Sequence, residues 1–394
     1  MKAISLCIIC HGYPLDTIGG VGVLVQYFLD YAPKLGYQIH LITPKQGWHN
    51  RIQSTNHPWG IHHQIEIRSW QWQQLWNHSK GIQHLQRLLR DIQPQSIHLH
   101  HFSGFPLEWS NILPPNCHSV LTLHDYALPC ARGQLYHRDH YSCDGPNPER
   151  CSICTESWLP FQSPENRQQL LTMRSNMVQK LLHSIDIVQS PSKDLAHRFH
   201  NWYPSLNIQH IDLPIPSKIE AIPWNQRTQD YIFIGTIIPT KGVHLVIQAF
   251  SELSDPNKTL TIIGPDGVFP TFQNYPQYCR NLSQQSNIQW LGHLPQEQTL
   301  HLLAQHKVLI LPSQWPENSP LTIREADHLG LQVICSSNGG SKELLNQPFL
   351  LKNSSISQLK NLMIKAMIQP PSSSKSHPSP MQFVQSQLQT IQSH

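Results

Sequence analysis

Long apolar runs are missing from this 394-residue chain. None approaches the roughly 18–20 residues that cross a bilayer, so the sequence offers no membrane-spanning helix. A large excess of one charge is missing too: the net charge is +4, which gives no polyanion-binding surface and argues against a nucleic-acid partner. The 26 histidines add positive charge only below about pH 6.5. The opening Met1–Cys10 has the charged and apolar parts of a secretion signal but no small-residue cleavage site. It runs directly into a glycine-rich loop, so a first buried strand is the expectation. A disulfide framework is not indicated either, because nine cysteines, an odd number in a chain this long, fit a reducing compartment better. There is no clean basic amphipathic helix for a membrane surface. What is present is length for two domains of about 100–200 residues and 39% apolar residues to give each a core.

The first half opens as strand, glycine loop, helix and strand. Ala3–Cys10 reads as a strand, Leu24, Val25, Phe28, Leu29, Ala32 and Leu35 recur at helical spacing, and Gln38–Thr43 reads as the next strand. This is the start of a doubly wound α/β domain. Gly19, Gly20 and Gly22 let backbone N–H groups approach a phosphate or sugar, or form a flexible turn; their spacing is not the dinucleotide fingerprint. Residues 45–90 are rich in Trp, Gln and His and resist assignment, with Trp70, Trp72 and Trp76 read as core. The strand Val120–Tyr126 brings His124 to a carboxyl end, where open α/β sheets place ligands; a hydrogen-bonded structural histidine is the alternative. His98, His100 and His101 lack an evident carboxylate partner for metal binding. Cys130, Cys143, Cys151 and Cys154 fall in the loop 127–156, with Cys151 and Cys154 as a CxxC pair. Four thiolates fit a structural zinc and leave no open catalytic position; redox thiols and simple packing are the alternatives.

A proline-rich stretch, residues 213–227, is the expected linker. The second α/β half contains the strand Tyr231–Ile234, the loop Gly235–Thr240 and a helix from Lys241. Lys241 can reach a diphosphate or simply sit in solvent. The apolar run Lys307–Pro312 leads into Ser313-Gln-Trp-Pro-Glu-Asn-Ser-Pro-Leu-Thr-Ile-Arg-Glu325. Pro320 is placed as a first helical residue, with Asn318 or Ser319 as its cap. A helix N-terminus suits phosphate, and Glu317 and Glu325 on either side of it can address hydroxyls, a combination that suggests a nucleotide-sugar. From Pro370 the composition turns to Pro and Ser, a linker, with a weak terminal helix expected over Met381–His394.

In order and spacing, Gly235…Lys241-Gly242, Ile262–Gly267, Pro312-Ser313, Glu317…Glu325-Ala326 and Asn338-Gly-Gly340 resemble the family-4 glycosyltransferases. Gly19–Gly22, the strand end near His100 and His124-Asp125-Tyr126 agree, and a subset of that family is similar in carrying a cysteine-rich loop after the His-Asp-Tyr element. The resemblance implies a GT-B fold, two Rossmann-like domains facing each other across a cleft. The expected division is 1–213 on the acceptor side, 214–369 for the nucleotide-sugar, and 370–394 as linker and tail. It implies a retaining hexosyltransferase that moves sugar from a nucleotide-diphosphate sugar to a glycan, lipid-linked or small-molecule acceptor in cell-envelope or exopolysaccharide synthesis. No cofactor is required for catalysis on this reading. The expected location is cytoplasmic, with peripheral contact at the inner face of a membrane left open. By the same resemblance Glu325 holds the ribose, Glu317 works near the anomeric centre and Lys241 neutralises the diphosphate. Gly19, Gly20, Gly235 and Asn318, Ser319, Pro320 and Leu321 meet the donor, and His124 positions the reacting groups. Thr236 stands where the family often has Arg, which keeps open an epimerase or a sugar-nucleotide-binding protein without transfer activity.

Overall fold

The structure is a computed structural model that describes residues 4–14, 19–47, 51–67, 79–215, 219–253, 255–283, 287–372 and 374–392. Trp70, Trp72 and Trp76 lie outside the described residues. The chain divides into two compact units: residues 1–134, 145–214 and 378–394 form unit 1, and residues 135–144 and 215–377 form unit 2. Two segments depart from the expected division. Residues 135–144 group with unit 2, and the tail closes unit 1.

Unit 1 contains β1 (Ile4–Ile9), α1 (Gly20–Tyr31), β2 (Tyr37–Gln46), β3 (Ile52–His57), β4 (Gly60–Ile67), α2 (Ser79–Ile92), β5 (Ser96–Leu99) and β6 (His118–Thr122). It continues with α3 (Pro148–Cys154), α4 (Pro164–His183), β7 (Ile187–Ser190), α5 (Lys193–Trp202) and β8 (Ile208–His210). The strands align in the order β3-β4-β2-β1-β5-β6-β7-β8. All neighbours are parallel except the edge hairpin β3–β4, which occupies part of the stretch that resisted assignment. Strand β1 is buried from Leu6 to Ile9, as expected for a strand covered on both faces.

Unit 2 contains β9 (Gln229–Ile234), α6 (Val243–Ser251), β10 (Leu260–Ile263), α7 (Tyr275–Leu282), β11 (Ile288–Gly292), α8 (Gln296–Gln305) and β12 (His306–Leu311). Then follow α9 (Leu321–His328), β13 (Gln332–Ser336), β14 (Phe349–Leu351) and α10 (Ile356–Ile368). Its all-parallel sheet runs β11-β10-β9-β12-β13-β14. Alternation sends Phe233, Ile262, Val308 and Ile310 to the face covered by α6 and α10. Ile232, Leu309 and Val333 go to the face under α8 and α9.

The last helix, α11 (Pro380–Gln392), belongs to unit 1. Phe383, Val384, Leu388 and Ile391 are all buried, and Phe383 meets Phe28 of α1 edge-on at 6.1 Å. The terminal helix expected from the sequence is present, and its four buried apolar side chains make a core-facing stripe.

Candidate active site

In a doubly wound sheet the strand order reverses at one point, and the loops leaving the two strands there splay apart to leave a crevice. In unit 2 that point lies between β9 and β12. The loop after β9 carries Lys241, and the loop after β12 carries Ser313, Trp315 and Glu317. Gly242 brings the two loops together. It has φ 70°, and a Cβ there would lie 2.4 Å from the Pro312 carbonyl oxygen, so a side chain would push the loops apart. Lys241 Nζ consequently donates to Glu317 Oε1 at 2.6 Å. The same oxygen accepts from Ser313 Oγ at 2.6 Å and Trp315 Nε1 at 2.9 Å. The Lys241 ammonium also lies 5.2 Å from the Trp315 ring, a favourable electrostatic contact with the ring face.

The backbone of Glu317 is fixed from the next loop. Gly340 N–H donates to the Glu317 carbonyl at 2.7 Å, and Glu317 and Gly339 form a parallel bridge. Gly339 has φ 91°, and a Cβ there would fall 2.3 Å from the Glu317 oxygen. Gly339 is therefore a structural requirement of the carboxylate's position.

Helix α9 begins at Leu321, with Pro320 in the cap position rather than the first helical one, and no side chain caps it. The expected cap from Ser319 is absent because Ser319 Oγ is claimed by Arg324, whose Nε and Nη2 donate to it at 3.2 and 3.1 Å. Arg324 Nη1 donates to His377 Nδ1 at 2.7 Å, tying the Pro/Ser-rich segment to the helix. Asn318 is buried beside Glu317, while Ser319 and Leu321 are partly exposed. Glu325, one turn into α9, is buried, and that burial pushes its carboxyl up to about 7 although Gln296 Nε2 donates to it at 3.2 Å. Gly235 ends β9, and a Cβ there would meet Lys241 Cδ at 3.9 Å, so it lines the lysine's stem. Thr236 is packed at the 264–267 turn: a Cβ on Gly267 would lie 2.7 Å from its methyl. Arg280 reaches the same turn, bonding Asp266 at 2.8 Å.

In unit 1 the strand order reverses between β1 and β5. There the groups are imidazoles. His100 Nδ1 and His124 Nε2 lie 3.0 Å apart, and His98 Nε2 is 2.8 Å from Thr122 Oγ1. Burial, reinforced by neighbouring histidines, holds His124 and His100 well below the usual imidazole range and brings His98 to about 3, so all three are neutral near pH 7. His101 goes the other way. Burial alone would lower it, but the Asp125 carboxylate 3.1 Å away raises it. His100, His101, His124, Asp125, Arg132 and Arg174 line a cavity of about 350 Å3 together with Phe102, Phe105 and Leu107. Gly19 caps α1 with φ 140° and Gly20 is its first residue; both are exposed, leaving that helix end without a side-chain cap.

Among the described residues no group of three or more His, Cys, Asp or Glu side chains is placed to hold a metal. Cys143 groups with unit 2, whereas Cys130, Cys151 and Cys154 group with unit 1. Two buried arginines of α4 hold the loop instead. Arg174 donates to the carbonyls of Leu128 and Ala127, and Arg167 to those of Ser152 and Gln162 at 2.9 and 2.6 Å. Their seven-residue spacing on one helix face was the available signal. Gln296 gave none, since its partner Glu325 lies 29 residues further along the chain.

Two doubly wound Rossmann-like units in one chain define the GT-B class. Residues 18–215 match the family described as Glycosyltransferase Family 4, and residues 215–378 the family described as Glycosyl transferases group 1. The chain belongs to glycosyltransferase family 4. Sucrose-phosphate synthase from Thermosynechococcus elongatus superposes with TM-score 0.68 at 15% identity, covering 99% of this chain and 94% of that one. An α,α-trehalose-phosphate synthase (UDP-forming) from Burkholderia xenovorans, in complex with glucose-6-phosphate, superposes with TM-score 0.70 at 9% identity, covering 99% and 100%. Spore coat protein SA of Bacillus subtilis (strain 168) is 24% identical over 121 residues, 29% of this chain and 32% of that relative.

Proposed function

We propose that the protein transfers a glycosyl unit from a nucleotide-diphosphate sugar to a hydroxyl-bearing acceptor with retention of anomeric configuration. The observation that carries this is the Lys241–Glu317 pair, 2.6 Å apart at the strand-order reversal of unit 2, with Glu325 one helix turn beyond the α9 N-terminus. As the anomeric C–O bond breaks, the leaving nucleotide gains negative charge. Lys241 and the α9 N-terminus stabilise that charge without requiring a metal. Glu317, held by three donors, faces the positive character that develops on the sugar. Glu325 takes the ribose hydroxyls. The acceptor oxygen forms the new bond on the face the nucleotide leaves, and its proton passes to the leaving phosphate. The acceptor belongs in the unit 1 cavity, where neutral His124 and the His101–Asp125 pair offer hydrogen bonds to hydroxyls. Its mixed apolar and polar walls suit a glycan or a lipid-linked sugar of envelope polysaccharide.

Thr236 supports a second reading, a sugar-nucleotide binder without transfer, because its short side chain packs on the 264–267 turn and supplies no cation. A panel of nucleotide-sugars separates the two. Release of nucleoside diphosphate that depends on an acceptor supports transfer; donor-induced thermal shift without release supports binding alone. No shift and no release across the panel contradicts both.

A further inference from the structure

Unit 2 contains a second concavity that the donor cluster does not occupy. It lies off the strand-order reversal, over the carboxyl ends of β12, β13 and β14, and encloses about 290 Å3. That is the small end of the range for ligand pockets, the size of a sugar ring. One wall is the segment 135–144, folded as a small hairpin: Tyr136 and Ser142 form an antiparallel bridge, and Cys143 N–H donates to the Leu135 carbonyl at 2.7 Å. Aromatic contacts hold that hairpin in unit 2. Tyr136 and His140 lie 6.2 and 5.9 Å from Phe269, and Asn338 Nδ2 donates to Ser142 Oγ at 3.1 Å. The opposite wall is the back of the glutamate loop. Ser313 lines the cavity while donating to Glu317 Oε1, and Ser336 Oγ fixes the Ser313 carbonyl at 2.6 Å.

The chemistry of the lining is uneven in a useful way. Hydroxyls and amides dominate, among them Tyr141, Ser337, Asn353 and Ser354, groups that both donate to and accept from sugar hydroxyls. One cation, Lys352, stands among the lining residues, and no carboxylate does. A neutral sugar would be served by the hydroxyls alone; the unopposed lysine adds a preference for a negative group.

We propose that this cavity binds a glycosyl unit bearing one acidic substituent, a uronate or a sugar phosphate, next to the Ser313–Glu317 bond. Its place in catalysis rests on the transfer reaction proposed above, but its binding does not. The full chain is titrated with glucuronate, glucose 6-phosphate and glucose by saturation-transfer NMR or calorimetry, and separately with UDP. At least one acid is expected to bind about fivefold more tightly than glucose, the upper worth of one exposed charged contact such as Lys352 offers. Lys352→Gln should erase that margin, and Asn353→Ala should weaken all three sugars, with UDP affinity unchanged in both. A carboxylate ligand is indicated if glucuronate leads and a phosphate if glucose 6-phosphate leads. Absence of sugar binding, equal binding of glucose and both acids, or acid binding indifferent to both substitutions overturns the proposal. Failure of UDP alone to bind bears on the transfer reaction and not on this cavity.

Discussion

At the strand-order reversal of unit 1 stand imidazoles kept neutral by burial, beside a single His101–Asp125 pair. At the matching point of unit 2 stand Lys241, its partner Glu317 and a second, buried carboxyl, Glu325. The sheets are wound alike, and the loops leave the same kind of crevice. What differs is how each crevice handles charge. Unit 2 sets a lysine against a carboxylate, while the unit 1 cavity is lined by buried imidazoles together with Asp125, Arg132 and Arg174. The fold supplies two crevices of like origin, and a few side chains give each its chemistry.

The largest expected break in this contrast comes from Glu317→Ala. It removes the acceptor of three hydrogen bonds and should lower turnover about 100- to 1,000-fold, the scale of one lost electrostatic group in an active site. Donor affinity, read by calorimetry, should change far less. Next is Gly339→Ala, which places a methyl against the Glu317 carbonyl in a left-handed backbone. A loss of about 1–3 kcal/mol is expected in denaturant unfolding.

Glu325→Ala should act mainly on donor binding, weakening it roughly 10- to 100-fold, the value of hydrogen bonds to a charged group. Its pH behaviour sharpens the comparison further. Burial raises Glu325 from 4.5 to about 7, so the folded state holds that proton more tightly than the unfolded chain. Its contribution to folding is full below about pH 4.5 and is lost as pH rises through about 7, up to about 3 kcal/mol. Ribose hydroxyls donating to the carboxylate favour its ionised form, so donor affinity should rise between about pH 6 and 8 and flatten in Glu325→Gln. The buried histidines of unit 1 have the opposite sign. His11 is lowered from 6.5 to about 4 and His98 to about 3, so thermal stability should fall as pH drops from 6.5 toward 4. His98→Gln should reduce that acid sensitivity. The smallest effect is expected for Cys151→Ser and for a chelator, each leaving the melting temperature nearly unchanged, because among the described residues no group of three or more ligating side chains forms there.

How much of this is legible in the sequence depends on range. The strands and the glutamate helix are legible because their signals are local: apolar runs, glycines at loop positions, and two carboxylates either side of a helix start. Ser163 and Pro164 foretell the start of α4, and Ser163 Oγ indeed accepts from Asn166 N–H at 3.2 Å. Long-range partners are not legible. Gln296 meets Glu325 across 29 residues of chain, and Arg174 reaches Ala127 and Leu128 across more than 40. Ser319 had the right type and place for a cap, but Arg324 competed for its hydroxyl. The cysteines were close in sequence, yet the hairpin 135–144 takes Cys143 into another unit. Spacing records neighbours along the chain and not where a loop is carried.

The central claim is that the Lys241–Glu317 crevice of unit 2 holds the diphosphate of a nucleotide-sugar. Calorimetric titration of nucleoside diphosphates into the wild type and Lys241→Ala tests it most directly. At least one nucleotide should bind the wild type and lose about tenfold or more in the variant, as expected for removal of a charged partner. Absence of binding by every nucleotide, or equal binding by both proteins, would contradict the account.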